Sequence, residues 1–423
     1  MTGIDPTAGR RRVLFFAEAV TLAHVARPIV LARALAGTAW QPVMACDARY
    51  RRFFETEPWP TLPLTTIPGA QFLRALAKGS PVYSADTLRG YLAEDLRLID
   101  QVRPDVVVGD FRLSLSVAAR LARVPYIAIS NAYWSPYVRD KRFPMPVLPI
   151  SRMLPLPLAG ALFRVAQPVA FAQHCAPLNR LRRENGLPSL GADLRRVYTD
   201  ADRTLYADLP EAFEMEAPMP AHHRFIGPIV WSPPVPLPSW WHEVPTDRPI
   251  VYVTLGSSGS SRTLDAVLQA LGDLPLSMLV ATAGAPRPAR TARNAFIADY
   301  LPGEAAAERA RLVICNGGSP TSQQALAAGV PVLGIASNMD QFLNMQGIGR
   351  LGAGKVLRAD RIDAEQLRRV VSSWVEAESA DRPRSTQHGS PDAAAEFADV
   401  LREIGGFRAI ETQMKKAPSG DGA

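Results

Sequence analysis

Short runs of consecutive apolar residues alternate along this chain with stretches in which apolar positions recur every three to four residues. Val13-Leu14-Phe15-Phe16, Pro42 to Cys46, Asp105-Val106-Val107-Val108 and Tyr126-Ile127-Ala128-Ile129 are runs of the first kind. Pro28 to Ala36, with proline in its first turn, and Ser114 to Ala122 are helical stretches between them. Runs that are apolar at every position predict strands buried on both faces, hence a parallel sheet covered by helices. The first half therefore reads as a doubly wound α/β domain.

The pattern breaks once. After Phe225-Ile226-Gly227-Pro228 comes Trp231-Ser232-Pro233-Pro234-Val235-Pro236-Leu237-Pro238, too proline-rich for the interior of a helix or strand. Alternation restarts at Ile250-Val251-Tyr252-Val253-Thr254-Leu255, which runs into Gly256-Ser257-Ser258-Gly259 and a helix. The expected division is a first domain over 1–227, a linker over 228–248, a second doubly wound domain over 249–407 and a polar, disordered tail over 408–423. Two such domains on one linker leave a cleft between them.

Composition narrows the possible partners. At 423 residues the chain exceeds the size at which a single core keeps growing, which agrees with two domains. A formal net charge of +7 favours anionic partners, but no Lys/Arg run is interleaved with aromatics, so nucleic acid is not expected. Cys46, Cys175 and Cys315 are odd in number and widely spaced, which suits buried thiols in a reducing, cytoplasmic setting rather than a zinc site or a disulfide frame. The most apolar candidate for a membrane span, Met153 to Phe163, lies between Arg152 and Arg164 and contains Pro155 and Pro157, so at most a peripheral membrane contact is expected.

The chemistry concentrates in Cys315-Asn316-Gly317-Gly318-Ser319-Pro320-Thr321-Ser322-Gln323-Gln324-Ala325-Leu326-Ala327-Ala328-Gly329-Val330-Pro331-Val332. An apolar strand ends in a Gly-Gly loop, hydroxyls follow, and an Ala/Leu-rich helix runs to a glycine cap. Glycines let a ligand approach the backbone, and the free N–H groups at a helix start favour a phosphate. It reads as a diphosphate seat.

This stretch, followed by Asp340-Gln341-Phe342-Leu343-Asn344-Met345, resembles the donor signature of nucleotide-sugar-dependent glycosyltransferases of the UDP-glucuronosyl/macrolide type. The resemblance implies the GT-B architecture, two Rossmann-like domains facing a cleft. It implies a nucleotide-diphosphate sugar as co-substrate, UDP- or dTDP-linked, no cofactor and no metal. It makes donor contacts of Ser257, Tyr300, Asn316, Gly317, Gly318, Ser319, Thr321, Gln324, Asp340 and Gln341. Leu22-Ala23-His24-Val25-Ala26-Arg27-Pro28 resembles the segment that carries the family's general base, His24 here, in the loop entering the first helix. Asp110, after the strand Val106 to Val108, matches the carboxylate expected behind that histidine; a helix cap is the other use for an aspartate there.

The sequence departs from the family pattern at three places. Asn316 stands where a histidine is usual, Gln324 where a ribose-binding glutamate is usual, and Gly303 where a glutamine is usual. Losing the ribose carboxylate would fit a deoxyribose donor. For Asp340 and Gln341 an Asn338-Met339-Asp340 helix N-cap is the other reading, and Asp200-Ala201-Asp202 resembles a metal motif of another glycosyltransferase fold but reads as a solvated turn. The proline-broken segment Phe143 to Pro177 fits either core packing or a mouth for a lipophilic acceptor.

The expected activity is an inverting, metal-independent transfer of a sugar to a hydroxyl of a small-molecule or lipophilic acceptor. A catalytically degenerate relative acting as a binding protein, and a sugar-nucleotide epimerase, are the alternatives.

Overall fold

The computed structural model describes residues 11–256, 259–288, 292–376 and 390–416. Its first sheet contains β1 (Arg11–Ala17), β2 (Trp40–Cys46), β3 (Thr61–Pro63), β4 (Val106–Asp110), β5 (Tyr126–Ser130), β6 (Arg203–Tyr206) and β7 (His223–Phe225). All are parallel, in the order β3-β2-β1-β4-β5-β6-β7. The second contains β8 (Ile250–Thr254), β9 (Ser277–Ala281), β10 (Ala295–Ala298), β11 (Leu312–Cys315), β12 (Val332–Ala336) and β13 (Gly354–Arg358), parallel in the order β10-β9-β8-β11-β12-β13.

In both sheets the chain first winds outward in one direction and then crosses back to wind in the other. The reversal lies between β1 and β4 in the first sheet and between β8 and β11 in the second. At such a point adjacent loops diverge and leave a crevice at the carboxyl ends of the strands. Ala17 pairs with Asp110 across the first reversal, and Thr254 with Cys315 across the second. The residues that follow these pairs are the ones on which the site is built.

The strands are apolar at every position because each sheet is covered twice. Val13, Phe15 and Ala17 enter one core and Leu14 and Phe16 the core on the opposite face. In the second domain Val251 and Val253 face one layer of helices, Ile250 and Tyr252 the other. Tyr133, Tyr206 and Phe213 of the first domain join that last cluster, so one core continues across the domain boundary.

Three expectations are corrected. The first helix is Ala23–Arg33 and starts five residues before Pro28, which lies inside it without an N–H for the His24 carbonyl. His24 is thus in a helical first turn and not in a loop. The prolines after Phe143 do not prevent a helix either: Leu156–Glu184 runs for 29 residues with Pro168 and Pro177 inside. Finally, the helix Ala393–Lys416 continues beyond the point where a disordered tail is expected at 408. It also leaves the second domain, since Phe397, Val400 and Leu401 are buried in the core of the first sheet. Phe397 lies 5.9 Å, centroid to centroid, from Phe15.

Candidate active site

On the first-domain wall, Nδ1 of His24 lies 2.8 Å from Oδ1 of Asp110. A bare Nδ1 lone pair at that distance would face a carboxylate oxygen, so Nδ1 carries the hydrogen and Nε2 is left as the basic atom. Arg27, one helical turn after His24, grips the same carboxylate with Nε at 2.7 Å and Nη2 at 2.8 Å. Asp110 and Arg27 are buried at 0% and 6% exposure, so the pair neutralises two charges that water does not reach. Burial pushes the Asp110 carboxyl up, but Arg27 and then His24 outweigh it and hold the group below its ordinary value. Asp110 is therefore an anchor for the imidazole, not a helix cap: the helix after it, Leu115–Ala122, is preceded by Ser114.

Phe111 follows Asp110 with a φ of 62°, a left-handed conformation unusual for a residue with a side chain. Its ring stacks on His24 at 5.0 Å with 14° between the planes. The reversal also turns Arg112 inward, where it meets Glu18 at 2.9 Å and Asp95 at 2.9 Å with all three side chains fully buried. The loop carrying Asp110 is thus tied down on its far side.

On the second-domain wall, β11 ends at Cys315 and the helix Ser319–Ala327 starts from Gly318. Gly317 has a φ of +82°, and a Cβ there would lie 2.9 Å from Met345 Cγ, so only glycine fits the turn. The two glycine amides are already used inside the loop: Gly317 N–H points to Cys315 Sγ at 3.2 Å and Gly318 N–H to Asn316 Oδ1 at 2.9 Å. In this arrangement neither glycine amide is turned to the cleft. The groups left to meet an anion are the hydroxyls of Ser319 and Thr321 and the helix N-terminus that carries them, and both residues line the cleft. Ser257 lies outside the described residues.

Asn131, after β5, joins the two walls. Its Oδ1 accepts from Arg27 Nη1 at 2.9 Å, and its Nδ2 donates to Asp208 Oδ1 at 3.0 Å and to Ser319 Oγ at 3.3 Å. The histidine anchor and the diphosphate seat are therefore connected through Arg27 and one amide. Burial pushes Asp208 up to about 6, against the opposing effect of the Ala132 N–H and the Asn131 amide. Asp340 receives Tyr133 Oη at 3.0 Å and Trp134 Nε1 at 2.9 Å, both on Oδ1.

The helix cap next to it is Asn338, whose side chain accepts from Gln341 N–H, while Gln341 Oε1 accepts from Ser337 N–H at 2.8 Å. So the N-cap expected over Asn338-Met339-Asp340 is present and is made by Asn338, and the Gln341 oxygen is committed to it. Asn344, the last polar member of the motif, donates to Gly317 O at 2.8 Å and braces the loop from behind.

Two of the departures prove to be one feature. Gln324 donates through Nε2 to the Trp231 carbonyl of the linker, and a Cβ on Gly303 would come within 2.6 Å of both Gln324 amide atoms. A glutamine at 303 and the present Gln324 rotamer exclude each other. Tyr300 is also engaged: Arg52 of the first domain lies 4.7 Å above its ring and donates to its hydroxyl at 2.8 Å. The ring expected to stack on a base has one face taken by a guanidinium. Asp200 and Asp202 are structural. Asp200 accepts from Arg120 at 2.8 Å and Asp202 from the Tyr126 N–H at 2.8 Å.

His24, Arg27, Asp110, Asn131, Trp134, Ser319, Thr321, Gln324 and Asp340 line one cavity of about 690 Å³, whose lining also includes the apolar side chains of Phe72, Leu76, Leu148, Leu162 and Phe171. Sequence reasoning missed Arg27, Phe111, Asn131, Tyr133 and Trp134. For Arg27 a signal existed, its place one turn after His24.

Similarity to known proteins agrees with this arrangement. Residues 265–398 match the family model for the erythromycin biosynthesis protein CIII-like C-terminal domain. The chain is 53% identical over 367 residues to a PGL/p-HBAD biosynthesis glycosyltransferase of Mycobacterium tuberculosis, covering 87% of this chain and 85% of that protein. It belongs to this glycosyltransferase family. A PGL/p-HBAD biosynthesis rhamnosyltransferase of Mycobacterium bovis is 48% identical over 413 residues, 97% of this chain and 89% of the relative. Among solved structures, spinosyn rhamnosyltransferase SpnG complexed with thymidine diphosphate shares the fold, with a TM-score of 0.61, 19% identity and coverage of 95% of this chain and 100% of that one. The two parallel-sheet domains of this glycosyltransferase are thus a GT-B pair.

Proposed function

We propose that this glycosyltransferase inverts the anomeric centre of a nucleotide-diphosphate sugar without a metal, using His24 as general base. Nε2 of His24 takes the proton of an acceptor hydroxyl as that oxygen forms a bond to the anomeric carbon. The bond from that carbon to the diphosphate oxygen breaks, and the diphosphate leaves with the electron pair. Asp110, held by Arg27, stabilises the imidazolium that forms. The hydroxyls of Ser319 and Thr321 and the helix N-terminus meet the growing charge, where one aligned donor is typically worth roughly 3 kcal/mol of barrier. The observation that carries this reading is the bond path His24, Asp110, Arg27, Asn131, Ser319 across a single cavity.

The acceptor proposed is a lipophilic molecule bearing a hydroxyl, because the cavity that contains His24 is also lined by Phe72, Leu76, Leu148, Leu162 and Phe171. The relatives named for PGL/p-HBAD biosynthesis, a glycolipid route, fit that class. For the donor we favour a thymidine-diphosphate sugar. Gln324 donates through Nε2 to the linker and carries no charge, and Gly303 has no side chain, so neither supplies a carboxylate that would favour a ribose 2′-hydroxyl. Thymidine diphosphate in the SpnG complex is consistent with this choice.

The test is incubation with UDP- and dTDP-linked sugars and a panel of lipophilic alcohols and phenols, following released diphosphate and the anomeric configuration of the product by NMR. Inverted product from a dTDP-sugar, formed in the presence of chelator, is expected. Epimerised donor without transfer, or a retained configuration, would refute the proposal.

A further inference from the structure

We propose that the exposed apolar face of the helix Leu156–Glu184, together with Met153 before it, docks on an anionic lipid bilayer and takes the acceptor from it. The proposal rests on the reading of a lipophilic acceptor. Met153 is 81% exposed, Leu158 50%, Leu162 44%, Val165 80% and Val169 63%. The spacing of the last four, in steps of four, three and four residues, puts them on one side of the helix. Five of the eight large apolar side chains exposed among the described residues lie on this segment, so the patch is a concentration and not a scatter.

Charge identifies the occupant. From Lys141 to Arg183 there is no aspartate or glutamate. Lys141, Arg142, Arg180 and Arg182 are matched by Glu216, Asp140, Glu184 and Asp200, so the cations beside the stripe are the exposed Arg152, Arg164 and Arg183. Arg152 and Arg164, next in sequence to Met153 and Val165, are exposed. A second copy of the chain presenting the same face would set cations against cations. Anionic headgroups would complement them, and acyl chains would cover the apolar stripe. No helix of the described residues is long and apolar enough to cross a membrane, so this helix would lie on the surface.

The stripe also leads inward. Leu162, Val165, Ala166 and Ala170 of the same helix line the cavity that contains His24. An acceptor dissolved in the bilayer could therefore reach the base along apolar side chains without crossing water.

The experiment is flotation of the full chain with vesicles of phosphatidylcholine alone and of phosphatidylcholine mixed with phosphatidylglycerol, at low and high salt. Binding to the anionic vesicles, weakened by salt, is expected for the wild type. The triple variant Met153→Asp, Leu158→Asp, Val169→Asp should bind at least about tenfold less. None of these three lines the cavity, so transfer to a water-soluble acceptor should persist. A second variant, Arg152→Glu with Arg164→Glu, should lose the preference for anionic vesicles.

Absence of wild-type flotation, or triple-variant flotation equal to the wild type, would overturn the proposal. So would light scattering that shows a dimer dispersed by the triple variant without vesicle binding. Wild type that transfers sugar but does not float would defeat the docking alone. Protein that floats but transfers nothing would uphold the docking face and defeat the enzymatic reading.

Discussion

On the first-domain side of the cleft, Arg27, Asp110, Arg112 and Asp200 line the cavity as ionised residues, each matched to a partner of opposite charge. On the second-domain side the described lining carries one ionised residue, Asp340, among hydroxyls, amides and a helix N-terminus. Under the proposed mechanism the difference follows from what each side would do. A base that moves a proton needs a fixed counter-charge beside it, and burial makes that charge tolerable only when it is paired. A seat for a leaving diphosphate gains from donors that respond to charge as it develops. A fixed cation there would bind donor and transition state alike and raise affinity more than rate.

The largest effect should come from the charged side. His24→Ala is expected to lower turnover by about a thousandfold, within the usual range for loss of a general base, with diphosphate affinity by calorimetry little changed. Equal loss of turnover and nucleotide binding would mean that the two sides are not separable. Arg27→Ala leaves Asp110 buried without its main partner and should cost about 3–5 kcal/mol of stability in urea unfolding. Arg27→Lys should recover only part of this, because a single ammonium cannot hold Asp110 twice and Asn131 as well. Recovery to the wild-type midpoint would show that charge alone matters.

Asp208 sharpens the comparison through pH. Its folded pKa of about 6 lies above the ordinary value of 3.8, so the folded state holds the proton more tightly. That contribution is fully present below about pH 3.8 and lost as pH rises through 6, a change of order 3 kcal/mol. Wild type should therefore lose stability relative to Asp208→Asn between pH 4 and pH 7.5. Parallel unfolding midpoints across that range would contradict the assignment.

Asp340→Ala should weaken the intact sugar nucleotide about tenfold, roughly the value of one hydrogen bond to a charged group, and leave bare nucleoside diphosphate nearly unchanged. Gln341→Ala should instead lower stability by about 1 kcal/mol through the lost capping box. Equal losses for both ligands in Asp340→Ala would make it a structural brace for Tyr133 and Trp134. The smallest expected difference is between nucleotides: thymidine diphosphate should bind at least as well as uridine diphosphate. Gln324→Glu should not simply restore uridine preference, since its carboxylate would face the Trp231 carbonyl and destabilise the linker.

The strands and the Gly-Gly loop were readable from the sequence because they are local: apolar runs mark buried strands, and a strand followed by glycines and hydroxyls marks a helix start. Asp110 and His24 were readable because strand ends carry sites in doubly wound folds. Asn131 and Arg52 were not, since their roles depend on which loops the winding brings together, over 104 residues for Asn131 with Arg27 and 248 for Arg52 with Tyr300. The proline-rich helix and the returning C-terminal helix were missed for a related reason. Tertiary burial of Phe171, Cys175, Phe397 and Leu401 decides their fate, and local propensity does not.

The central claim, that His24 removes the acceptor proton, is tested most directly by comparing wild type and His24→Ala on phenol acceptors of decreasing pKa. As the phenol becomes more acidic it needs less help to lose its proton, so the account predicts that the gap in turnover narrows steadily. A gap that stays constant across the series would contradict it.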